Sequence, residues 1–170
     1  MHIKIVMICL IIGFSTMSIA TDLSKPQGVV ILTVSGNIGN INTNITANGE
    51  AQFDRQMLEQ LPQTKITTYT PWTEGLHVYE GVLLNTLLEQ VNASGHKLVA
   101  TALNDYHTEL DLELLRDYPI LLAIKFDGAF MRVRDKGPIW IIYPLSDYSE
   151  LNTARHYENM IWQLSSLEVY

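Results

Sequence analysis

Hydrophobic and polar positions along the chain switch between a strand period and a helix period. The stretch "GVVILTVSG" at 28–36 is β-branched and bounded by glycines, which predicts a strand. Residues 37–49 are rich in Asn and Gly and predict a loop or hairpin tip. Asp54 can cap a short helix with Met57, Leu58 and Leu61 on one side and Pro62 past its end. "KITTYT" at 65–70 reads as a strand running into Pro71-Trp72. Within "GVLLNTLLEQV", Leu84, Leu87, Leu88 and Val91 recur at helical spacing, and Gly95 supplies a stop.

The second half predicts a strand at 98–103, a turn at Asn104-Asp105, a strand at 106–110 and a short helix at 112–118. "ILLAIKF", "DG" and "AFMRV" form the clearest hairpin, because Asp-Gly suits a type I′ turn. "IWIIY" at 139–143 predicts a central strand and "LSSLEV" a closing one. Strands outnumber helices and the helices are short. The pattern predicts a single α+β domain on mixed or antiparallel sheets, with no repeat and no dividing linker.

The first 20 residues stand apart. Lys4 precedes an apolar run from Ile5 to Phe14, and Ser18-Ile19-Ala20 follows. This predicts a secretory signal peptide at 1–20 cleaved after Ala20, and a domain at 21–170 exported to the periplasm. The apolar run is too short to span a bilayer comfortably, and a buried N-terminal strand or helix is the alternative. Cleavage would remove Cys9, the only cysteine, and with it thiolate ligation, disulfides and cysteine nucleophiles. Lys4 is the only charged residue there. The 11 basic residues then fall to 10 against 18 acidic ones, and the net charge moves from −7 to −8. That balance argues against nucleic acid and against direct attachment to anionic lipid.

Candidate chemistry must be sought by constellation. His77, His96, His107 and His156 show no metal-ligand spacing, and no GxSxG, Walker or GxGxxG pattern occurs. "GNIGN" at 36–40 lacks the helix such a loop would open. Asp105, Asp127, Asp135 and Asp147 sit at predicted turns, where Asp serves backbone geometry. What remains is a set of aromatic and amide residues beside charged turns: Trp72, Asn104, Tyr106, Arg134, Trp140, Tyr143 and Trp162. Each Trp suits a core as well as a site. Together they also suit a flat heteroaromatic ligand, which needs a stacking face and an edge of donors and acceptors.

The ordered blocks "YEGVLLNTLLEQV", "ALNDYHTELDLELL", "LLAIKFDGAFM", "GPIWIIYP" and "IWQLSSLEV" resemble the sulfite-oxidase molybdopterin-binding domain over nearly all of residues 28–170. In that family the blocks read roughly W-x-G-x-x-L-x-x-L-L, A-D-G-Y, L-A-x-x-x-N-G, G-x-P-x-R-x-x-x-P and K-W-L-x-x-I-x-V. The resemblance implies a sulfite-oxidase-like α+β fold. It also exposes departures. Where the family carries its molybdenum-binding cysteine, this chain has "KITTYTPWTEG", with Thr68 or Tyr69 in that region. The family's Arg after Gly-x-Pro is replaced near Ile139-Trp140, and its last basic residue falls at 159–162.

"RDKGPIWIIYPLSD" and "IWQLSSLEV" look like a subfamily of cysteine-free secreted relatives that bind reduced pterins and regulate a membrane-bound diguanylate cyclase or phosphodiesterase. The resemblance implies a non-catalytic pterin sensor with no covalent cofactor and no molybdenum. Its pocket would be formed from Thr70, Trp72, Asn104, Asp105, Tyr106, Arg134, Lys136, Trp140, Tyr143, Asp147, Asn159 and Trp162. Asp135 and Lys136 are equally readable as plain turn residues. A molybdopterin oxidoreductase holding its cofactor without a cysteine, and an adaptor with an empty relic pocket, are the competing expectations.

Overall fold

Two five-stranded sheets share one apolar core. The computed structural model describes residues 23–44, 46 and 48–170, so the predicted signal peptide lies outside the described residues. The first sheet has the order β2-β1-β10-β5-β6, from β1 (Val30–Gly36), β2 (Ala51–Asp54), β5 (Lys97–Ala102), β6 (His107–Asp111) and β10 (Leu164–Val169). Its β1–β10 pair is parallel and its other pairs are antiparallel. The second sheet runs β3 (Gln63–Thr68), β4 (His77–Leu83), β7 (Leu121–Phe126), β8 (Ala129–Phe130), with β9 (Trp140–Ile142) also on β7. Four short α-helices, α1 (Arg55–Gln60), α2 (Leu84–Gln90), α3 (Leu112–Leu115) and α4 (Ala154–Asn159), and two 3₁₀ helices, Val133–Asp135 and Ser149–Leu151, complete the described structure. The architecture is the expected α+β fold on mixed sheets.

Several elements follow directly from local chemistry. Asp54 caps α1 by accepting from Met57 N–H at 2.9 Å, so its sequence reading as a cap holds. Asp127 and Gly128 both take positive φ, 46° and 80°, as the predicted type I′ turn requires. Other readings change. "LSSLEV" is central in its sheet, between β1 and β5, because its alternating Leu164, Leu167 and Val169 are all buried. "IWIIY" is not central: β9 pairs only with β7, and the segment from Ile161 into the start of β10 meets the other side of this stretch. Ile141 N–H donates to Ile161 O at 2.8 Å, and Leu164 N–H donates to Ile139 O at 3.0 Å.

The predicted strand "AFMRV" ends after Phe130, because Val133–Asp135 turns as a 3₁₀ helix and Lys136 follows in the left-handed region at φ 72°. "KITTYT" is a strand only to Thr68. β4 escaped the helix-period reading because the apolar run Val82-Leu83-Leu84 is shared between a strand end and a helix start. Gly81 is needed within it. A Cβ there would collide with the Leu122 carbonyl, where the β4–β7 register shifts.

Candidate functional site

Three loops and α4 meet at one end of the β5–β6 hairpin. The first loop follows β3. Thr70 is buried, its Oγ1 accepting from Trp72 N–H at 3.3 Å and bonding the Thr73 hydroxyl at 2.8 Å, which pins the turn that holds Trp72 outward. The second is the β5–β6 turn. Asp105 stands there at φ 64°, and Asn104 Oδ1 accepts from Tyr106 N–H at 3.3 Å. The third runs from α4 into β10. Gln163, at φ 54°, donates from its backbone to Lys136 O and from its side chain to Val133 O, at 3.0 and 2.7 Å. Leu103 N–H donates to Gln163 O at 2.9 Å and ties the second loop to the third.

These segments enclose an open cleft of about 330 Å³ lined by Trp72, Ala102, Asn104, Tyr106, Tyr157, Glu158, Met160, Ile161 and Trp162. That volume lies near the small end of the roughly 300–1,000 Å³ range of small-molecule pockets. Its walls are mostly apolar and aromatic. Trp72 and Trp162 meet edge to face, with centroids 5.2 Å apart and planes at 87°. Trp140 lies behind both, 6.2 Å from Trp72 and 6.4 Å from Trp162 between centroids, with its indole N–H donating to Met160 O at 3.0 Å. The Lys136 ammonium sits 5.5 Å from the Trp140 ring and 5.6 Å from the Trp162 ring, a double cation–π contact that steadies this wall.

Of the residues singled out from sequence, Trp72, Asn104, Tyr106 and Trp162 come together as lining. Trp140 and Lys136 support them from behind, and Thr70 positions Trp72. Asn159 is buried one residue beyond the lining residue Glu158, its Oδ1 accepting from the Thr108 hydroxyl at 2.8 Å. Four others lie off the cleft. Asp105 serves the hairpin turn, Arg134 points to solvent beside Asp135, and Asp147 is exposed with its N–H on Pro144 O at 3.1 Å. Tyr143 is fully buried, its ring stacked on His156 at 5.5 Å. Burial pushes its phenol up in pKa.

Tyr157, Glu158, Met160 and Ile161 were not predicted as lining. α4 carries no apolar period to announce it, and the only signal is Thr153, which caps it by accepting from His156 N–H at 3.4 Å. At the positions where the family's cysteine was expected, hydroxyls are already engaged. Thr68 is buried and its Oγ1 accepts from Ser146 N–H at 3.1 Å and donates to Tyr69 O at 3.2 Å, while Tyr69 Oη accepts from Asn152 Nδ2 at 2.7 Å. Among the described residues no group of three or more His, Cys, Asp or Glu is placed to hold a metal.

No protein-family profile matches the chain, and no curated protein matches it. Among solved structures it is similar to the sulfane dehydrogenase SoxCD from Paracoccus pantotrophus, with a TM-score of 0.60 at 18% identity. The match covers 82% of this chain and 37% of that one, so this chain spans well under half of its structural relative. The likeness establishes the sulfite-oxidase-like fold.

Proposed function

We propose that the chain is an exported, non-catalytic binding protein that holds a reduced pterin in the tryptophan cleft. On this reading it signals occupancy to the periplasmic domain of an inner-membrane enzyme that makes or degrades cyclic di-GMP. One observation carries the ligand assignment: an open aromatic slot between Trp72, Trp162 and Tyr106, edged by the Asn104 amide. A flat bicycle needs that combination of stacking surface and hydrogen-bonding edge. The signalling step rests on the resemblance of "RDKGPIWIIYPLSD" and "IWQLSSLEV" to cysteine-free regulators.

The second reading, a molybdopterin oxidoreductase, is favoured by the fold it shares with a sulfane dehydrogenase. The residues present do not fit that cofactor. Molybdenum in this fold is held by a soft thiolate, and Thr68, Tyr69 and Thr70 offer only neutral hydroxyls that already have partners. Tryptophan fluorescence separates the readings when purified protein is titrated with tetrahydropterin under anaerobic conditions. Saturable quenching in protein without stoichiometric molybdenum is expected. Stoichiometric molybdenum in protein from a molybdenum-replete host would overturn the sensor in favour of the enzyme, and a flat titration would leave the adaptor.

A further inference from the structure

Among the residues lining the cleft, Glu158 alone carries a charge, and no described residue neutralises it. Its backbone carbonyl is engaged, accepting from Tyr106 Oη at 3.4 Å, but its carboxylate has no hydrogen bond or ion pair among the described residues. Arg155 stands three positions earlier on the same helix, a spacing that often pairs, yet forms no salt bridge with it. Nor does helix stability account for the residue. Glu158 occupies the last turn of α4, where a negative charge faces the unsatisfied carbonyls and is mildly unfavourable. Glu158 is thus an exposed acidic residue on the lining of an apolar, aromatic cleft whose carboxylate no described residue engages.

Asn104, on the β5–β6 turn, supplies the complementary half. Its Oδ1 is used locally by Tyr106 N–H at 3.3 Å, whereas its amide NH₂ has no partner among the described residues. The lining therefore includes one acidic residue from α4 with an unengaged carboxylate and one amide residue from the hairpin turn with an unengaged NH₂, beside Trp72 and Trp162.

We infer that Glu158 is the specificity residue of the cleft, selecting a flat heterocycle with adjacent N–H donors over one whose edge carries a carbonyl in place of the amine. The inference rests on the cleft being the pterin site proposed above and narrows its ligand. Two parallel N–H groups, such as the ring N–H and exocyclic amine of a 2-amino-4-oxopyrimidine edge, match both oxygens of one carboxylate in a charge-assisted pair. The neighbouring ring carbonyl then suits the Asn104 amide.

Two probes test this on the full-length purified protein: tetrahydropterin and the corresponding tetrahydrolumazine with a carbonyl replacing the 2-amino group. The wild-type protein is expected to bind the first about tenfold to a hundredfold more tightly than the second, the span of one or two buried polar contacts. Glu158→Gln should lose about tenfold in tetrahydropterin affinity and leave lumazine nearly unchanged. Glu158 is exposed, so a matching thermal melt confirms that the variant folds. Equal tetrahydropterin affinity in wild type and Glu158→Gln would overturn the role of Glu158 while leaving the site intact. Binding of neither probe by the wild type would instead overturn the pterin reading itself.

Discussion

Trp72 meets Trp162 edge-on across the mouth of the cleft, and of the two it is the more weakly held, with 38% of its surface exposed. Trp140, only 1% exposed, belongs to the core that backs them. The three indoles form one cluster but answer to different measurements. Trp72→Ala should weaken tetrahydropterin binding about tenfold or more and cost less stability than a fully buried Trp, since part of its side chain is already in solvent. Trp140→Ala should cost about 3–5 kcal/mol in chemical denaturation, because it empties a packed site and leaves Met160 O without its donor. Binding by a destabilised but folded Trp140 variant at wild-type strength would confine Trp140 to support.

Asp54 gathers three backbone donors: Met57 N–H on Oδ1 at 2.9 Å, and Gln27 and Gly28 N–H on Oδ2 at 2.8 and 2.7 Å. Bonds from Met57 and Gly28, then Gln27, hold its carboxyl below the ordinary 3.8 against a smaller opposing effect of burial. Its contribution to stability is therefore present above that value and lost as pH falls through the lowered folded value. Asp54→Ala should lower the melting temperature at neutral pH and flatten the acid limb of the stability curve. An unchanged acid limb would show that the three bonds hold no proton-linked energy.

How legible the molecule was depends on whether one element or two determined each segment. β10, the Asp54 cap and the Asp127-Gly128 turn were readable because a few neighbouring residues fix them. β9 was misplaced because five consecutive apolar residues report burial and not which strands lie alongside. Its burial comes from the Ile161 segment, some 20 residues away in sequence. The cleft divides the same way. Trp72, Asn104, Tyr106 and Trp162 were visible as polar or aromatic residues beside turns. Glu158 was hidden on a six-residue helix with no apolar face, and only its packing against the β5–β6 hairpin brings it to the site.

If occupancy is signalled to a partner, ligand and partner must each strengthen the other by the same factor, commonly about 5- to 150-fold. The turn at 134–136, whose exposed Asp135 pairs with Arg132 at 2.6 Å, and the segment 147–155 are the expected docking surfaces. Pull-down from membranes with and without tetrahydropterin, followed by affinity measurement on the isolated pair, tests this. Equal capture by loaded protein, empty protein and Trp72→Ala would make the chain an adaptor and end the sensor reading.

Tyr143 Oη is buried without a hydrogen-bond partner among the described residues. An unmet buried hydroxyl costs stability, so Tyr143→Phe, which keeps the ring on His156, should leave the fold equally stable or raise its stability by on the order of 1 kcal/mol. Alkaline pH gives a second readout. Burial raises the phenols of Tyr143 and Tyr79, so in the folded state both keep their protons past the ordinary value of 10.0. The unfolded chain loses its protons first. Stability is therefore whole below that value and declines as pH rises above it toward the folded values. Tyr143→Phe should make the alkaline decline shallower without abolishing it, because Tyr79 remains. A loss of more than about 1 kcal/mol at neutral pH would instead mean that the hydroxyl has a partner in solution, since only a satisfied buried hydroxyl leaves such a deficit when removed.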